Sequence, residues 1–174
     1  MAGFVDELTT RVSVEIDSSD IDDAISRVSG DSILSELGLA EELQEVKSEL
    51  NELKEPLTDA VAQALSNNQE TIINTKHRIS GMMANSVDIS SDGDDRLVGN
   101  TATSVDGFPY PLAIEKGSKQ HWIAPVTFDY LHWTDSGNDF FSKGHMVSGI
   151  KADPFVQYSI DETMYQIDEI FNSM

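Results

Sequence analysis

The chain has 174 residues, enough for one domain with a real core, and no cysteine, which excludes disulfides and thiolate metal sites. Against 11 Lys and Arg stand 31 Asp and Glu, a net charge of −20 spread along the chain, which argues against direct binding to phosphate backbones. Self-repulsion at this charge is removed only when salt near ~1 M shortens the screening length to ~3 Å, so the composition points to a halophilic host. No apolar run approaches the ~20 residues of a membrane span. Met1 to Glu7 has no basic region followed by an apolar run, so no signal peptide is expected.

In chain order, Val12, Val14 and Ile16 alternate with Ser13 and Glu15, which predicts a half-buried strand. Ser18-Ser19-Asp20 offers N-caps to a helix carrying Ile21, Ala24, Ile25 and Val28, closed by Gly30. Asp31 to Leu37 can form a further short helix, ended by Gly38. From Leu43 the apolar positions run Leu43, Val46, Leu50, Leu53, Leu57, Ala60, Ala64, a heptad seam of about three repeats. The seam reads as an amphipathic helix on its own sheet, or as helix-on-helix contact with a second subunit or an N-terminal helix. Pro56 predicts a kink, or two helices meeting, with the second running from about Leu57 to Ile79.

Gly81 breaks that helix. Val87-Asp88-Ile89 and Leu97-Val98-Gly99-Asn100 then read as a hairpin around an acidic turn containing Asp92-Gly93. Asp88, Asp92, Asp94 and Asp95 resemble half a calcium loop, but the EF-hand order and its closing Glu are missing, so a solvated turn is expected. Tyr110 to Ile114 is read as a third strand, held to an edge or bulge by Pro109 and Pro111. Residues 117 to 150 form a long excursion rich in aromatics, Pro and Gly. Asp153 caps a last helix with Pro154 at its first position, and Val156, Ile160, Met164, Ile167 and Phe171 share one face of it.

Little here carries chemistry. His77, His121, His132 and His145 match no short metal motif, and no metal site or cofactor is expected. Asp129, Asp135 and Asp139 near His132 could serve acid–base work, but carboxylates are so common in this chain that such pairs arise by chance. The aromatics Phe128, Tyr130, Trp133, Phe140 and Phe141 read as core or interface packing before a ligand pocket.

Five segments carry a resemblance. Tyr110, Glu115, Gly117 and Ser118 form Tyr-x(4)-Glu-x-Gly-Ser. Ile123-Ala124-Pro125 and Leu131-His132-Trp133 follow, and Gly149-Ile150-Lys151-Ala152-Asp153-Pro154-Phe155 leads into the last helix. Upstream stands Ser80-Gly81-Met82-Met83-Ala84-Asn85-Ser86. In this order and spacing, over roughly residues 57 to 171, the chain resembles the tail-completion, or head-to-tail joining (neck), proteins of long-tailed viruses. It departs from their pattern at Ala84, where a basic residue is usual, and at Ser80, where Thr is usual.

The resemblance implies a homo-oligomeric ring, a hexamer, at the head-proximal end of a virion tail. The ring would complete the tail and join it to the neck and portal, with DNA passing through its lumen unbound. Its partners would be copies of itself and the adjoining head-completion and tail-tube proteins. It would assemble in the host cytoplasm, without a membrane. The expected fold is α+β: a long helix and a C-terminal helix on a small antiparallel sheet, with a long loop-rich arm. Residues 1–40 are expected as an N-terminal strand with short helices, and 41–174 as the main domain with the arm at 117–153. Expected interface residues are Tyr110, Glu115, Gly117, Trp122, Pro125, Trp133, Phe140, Phe141, Pro154 and Phe155. A tail-tube or head-side stopper subunit is the nearer alternative. A metal-dependent hydrolase using His121 and His132, rather than a non-enzyme, is the one of another class.

Overall fold

The computed structural model describes residues 5–31, 34, 37–77, 81–104 and 107–173. The fold is α+β. A three-stranded antiparallel sheet has the order β1-β3-β2, with β1 at Thr9–Val12, β2 at Val87–Asp92 and β3 at Asp95–Asn100. The long helix α3, Lys54–Lys76, crosses this sheet, and the C-terminal helix α5, Phe155–Asn172, lies along α3.

The centre of the sheet follows from β3, which is buried at Arg96, Val98, Gly99 and Asn100 and pairs on both edges. Val98 packs with Val12, Ala62 and Leu65 in one core cluster. Leu8, Ile73, Met83, Ala84, Phe155 and Val156 form a second. Ile160 of α5 touches both clusters and welds them together. Each Val, Leu, Ile, Met or Phe among them contributes roughly 1.5–3 kcal/mol when fully buried. Leu8 and β1 therefore belong to the same core as the later residues. Fully buried Asn100 donates from Nδ2 to the Met83 carbonyl at 2.7 Å, and its Oδ1 accepts from Ala102 N at 3.0 Å. This fastens the turn after α3 to the sheet. Ala84, where the resembled pattern has a basic residue, is buried in that turn. Ser80 lies outside the described residues.

Several expectations need correction. The first strand is Thr9–Val12, not Val12 to Ile16. Val12 pairs with Arg96 and its partner β3 starts at Asp95, so no strand remains opposite Val14 or Ile16. The Asp92-Gly93 signal does mark a hairpin, but the strands run through Asp92 and Asp95. Gly93 (φ 64°) takes the first central position, as a two-residue II′ turn asks. Of the acidic turn, Asp92 and Asp95 bond Arg11 and Asp94 pairs with Lys54.

The heptad seam does not continue through Pro56. Helix α2, Leu39–Glu52, ends at the residue four before the proline, where the ring leaves no N–H for that carbonyl. Helix α3 then begins at Lys54, with Pro56 harmless in its first turn. Beyond the break the buried residues of α3 are Leu57, Thr58, Ala62, Leu65, Ser66, Gln69 and Ile73, so of the seam Leu57 is buried while Ala60 and Ala64 are half-buried. Helix α1, Ser19–Ser29, packs on α2; of the seam's first half Leu43 and Leu50 are half-buried, while Val46 and Leu53 are exposed. The short helix expected at Asp31 to Leu37 falls largely outside the described residues, as do positions 78 and 79 at the expected end of α3.

Tyr110–Lys116 is a helix, α4, and not a third strand. Pro111 sits in its first turn, where the missing N–H costs nothing, and Leu, Ala, Glu and Lys are good helix formers. β1 supplies the third strand instead.

Candidate interaction site: the arm and its root

The arm's root is built by α4, the start of α5 and the two backbone strands between them. Helix α5 begins at Phe155 behind Pro154, which has no side chain able to cap it. Orphan N–H groups at a helix start need an acceptor. The side chain that answers is Glu115, whose Oε2 accepts from Val156 N at 3.1 Å. Asp153, expected in that role, turns its carboxylate to Lys76 Nζ at 3.6 Å and His77 Nε2 at 3.2 Å, while its backbone N donates to the Ile114 carbonyl at 2.9 Å. Burial pushes the Glu115 carboxyl above its ordinary range. The Val156 N–H opposes that shift and nearby Asp153 adds to it.

Gly117 follows at φ 74°, ψ 172°, a backbone region that is essentially glycine's alone. A Cβ there would stand 2.7 Å from the Ile150 carbonyl oxygen and 2.8 Å from Ala152 N. At Gly149 a Cβ would overlap the Ser118 carbonyl. These two glycines let the outgoing and returning chains touch. Ser118 N donates to the Ile150 carbonyl at 2.8 Å, and Ile150 N donates to Ser118 Oγ at 3.1 Å. Tyr110 packs on the core cluster that contains fully buried Phe155. Tyr110, Glu115, Gly117, Pro154 and Phe155 are thus gathered at one joint, which is structural in character.

Trp122, Pro125, Trp133, Phe140 and Phe141 lie beyond the joint, in the arm. Within the loop-rich excursion stand two nested antiparallel ladders. β4 (His121–Ile123) pairs with β7 (His145–Val147), and inside them β5 (Leu131–Asp135) pairs with β6 (Asn138–Ser142). The β5–β6 turn is Ser136-Gly137 with φ 50° and 81°, the left-handed pair that a I′ turn needs. That Ser-Gly dipeptide between alternating Leu-His-Trp-Thr and Asp-Phe-Phe was the available sequence signal for this hairpin.

Directly opposed residues share a face, so Trp133 and Phe140 stack on one side at 5.6 Å. His132 and Phe141 stack on the other at 4.7 Å. Trp133 also meets His145 at 5.0 Å, which couples the two ladders. Trp133 is nevertheless 40% exposed, so it is a packed residue of the arm and not of the core. Trp122, Phe128, Phe140 and Phe141 are exposed as well. The loop at 124–130 arches over the His132–Phe141 face and encloses an open bay of about 850 Å³, lined by Pro125, Val126, Phe128, Tyr130 and Phe141.

The arm's histidines do not converge. His121 Nδ1 lies 2.9 Å from the Lys119 carbonyl in one ladder. His132 Nε2 lies 3.1 Å from Asp139 in the other, where Thr134 Oγ1 also donates to Asp139 at 2.8 Å. Thr134 first, then His132, hold the Asp139 carboxyl below its usual range. Among the described residues, no three His, Asp or Glu side chains stand close enough to share a metal ion. Also among the described residues, no helix is long and apolar enough to cross a membrane.

Charge separates the arm from the body. Lys119, Lys143 and Lys151 balance Asp129, Asp135 and Asp139, so residues 117–152 carry no net charge. The whole −20 belongs to the rest of the chain. Sequence reasoning noted the total and missed this partition, which simple counting by segment reveals. It also missed Glu115 as the cap of α5; a proline at the helix start with no Ser, Thr, Asp or Asn in the cap position was the available sign. No family model, curated protein or solved structure matches the chain.

Proposed function

We propose that the chain is the subunit of a ring, hexameric by the resemblance, at the head-proximal end of a viral tail. There it completes the tail and joins it to the neck and portal. The observation that carries this reading is the neutral, aromatic arm on an acidic body, rooted by the very residues that carry the family resemblance. Ordering some thirty residues costs about 1–2 kcal/mol each. Aromatics left exposed on both faces of the arm do not offset that cost in a lone copy, whereas burial against neighbouring copies or the adjoining neck and tail rings does. The acidic body suits a virion protein of a halophilic host, and an acidic lumen would let DNA slide without sticking. The enzyme reading draws no such support, because His121 and His132 have separate partners.

The test replaces residues 119–148 with a short Gly/Ser linker. The expected protein folds as a body but does not assemble, and virions carrying it accumulate as filled heads and free tails. Normally joined virions from this deletion would remove the arm as the joining element. Copy number separates the nearer alternatives: one ring per virion fits tail completion, and many stacked rings fit a tail tube.

A further inference from the structure

We propose that the bay beneath the arm's tip receives the outer face of α5 from a second copy of this chain, with Tyr165 as the inserted side chain. This rests on the ring reading and deepens it by naming the acceptor and the donor surfaces.

The bay is open, has a volume of about 850 Å³ and presents Val126, Phe128 and Phe141 largely to solvent in the single copy. The surface opposite in character is on α5. A helix flanking a core should be polar on its outer side, yet Tyr165 there is 84% exposed and Tyr158, on the same face two turns earlier, is 40% exposed. Met164 and Phe171 are exposed along one flank. Tyr165 is the most exposed of the large aromatics outside the arm among the described residues.

Electrostatics selects the pairing. Asp161, Glu162, Asp168 and Glu169 border the tyrosines, and the body as a whole carries −20. Body-to-body contact would set like charges together, at a cost of several kcal/mol where they are desolvated. The arm carries no net charge and one carboxylate, Asp129, lines its bay, so it approaches α5 with a smaller penalty than the acidic body does. Lys143, with its Nζ 5.7 Å from the centre of the Tyr130 ring on the bay's wall, supplies a cation for the acidic border. Bay and helix face are different patches of one chain, so their contact is heterologous, and repeated head to tail it closes a ring when the rotation allows.

The chain's lack of cysteine makes the test clean. Two variants, Phe141→Cys and Tyr165→Cys, are mixed in molar KCl and oxidised, with Val126→Cys replacing Phe141→Cys if the latter loses its circular dichroism. The expected result is a mixed disulfide dimer well in excess of either self-paired dimer, since the bond needs Cα atoms within about 7 Å. Tyr165→Ala should weaken association at least tenfold, with an unchanged melting temperature at dilutions where the chain is monomeric, because the Tyr165 ring is already in solvent in the single copy. An oligomer that forms without the mixed cross-link, and that Tyr165→Ala leaves intact, would overturn the pairing and spare the ring. A chain that stays monomeric at high concentration in molar salt would overturn the ring reading and the pairing together.

Discussion

Gly117 and Glu115 hold the arm to the body through different physics. Gly117 occupies a backbone region closed to other residues, with two backbone atoms within 3 Å of where a Cβ would be. Gly117→Ala should therefore destabilise the protein by roughly 1–3 kcal/mol from backbone strain alone, with the clash adding to this, as measured by urea unfolding in molar KCl. Glu115 works at a cost. Its carboxyl is raised by burial and by Asp153, so in the window between its unfolded and folded pKa the native state holds more proton than the unfolded state. Stability then falls as pH rises through that window and is regained as the group protonates. Glu115→Gln keeps an oxygen for the Val156 N–H and removes the charge. Its melting temperature at pH 7 should equal or exceed that of the parent, with the gap closing at pH 4. A variant much less stable than the parent at pH 7 would mean that the charge itself holds the α5 cap.

At the level of elements, the body is not equally secure throughout. Neither α1 nor α2 has a fully buried residue among those described, and the exposed pair Lys47–Asp22 at 2.5 Å adds at most a fraction of a kcal/mol. Helix α3 and strand β3, by contrast, are buried along one face or more. Amide exchange in molar salt should show α1 and α2 opening well before α3 and β3. Equal protection would mean that the helical pair is covered by another copy. The elements also show where local rules lose. Pro-x-Pro around Tyr110 suggested an edge strand, but a proline in a first helical turn is equally at home. What chose the helix is packing, since Leu112 and Ile114 both contact the cluster around Phe155.

Over the whole molecule the dominant quantity is charge. With −20 on 174 residues, the folded body is held against its own repulsion, and removal of salt strengthens that repulsion. The helical circular dichroism signal should fall on dialysis from molar KCl to ~10 mM salt, and the melting temperature should drop with it. A melting temperature unchanged across that range would sink the halophilic reading.

Sequence by itself determined what rests on short-range rules: the hairpin at Gly93, two helices meeting near Pro56, the C-terminal helix and the α+β class. Turn chemistry, proline geometry and helical periodicity act over a few residues, so they are legible without a fold. Only the tertiary structure decided that β1 is the third strand, that Glu115 and not Asp153 caps α5, and that the arm is two nested ladders with a bay under its 124–130 loop. These depend on which distant groups arrive together. A cap supplied from 41 residues away, or a strand paired across more than 80 residues with its partner, leaves no mark on the local pattern, because the free energy that selects it comes from burial shared among segments.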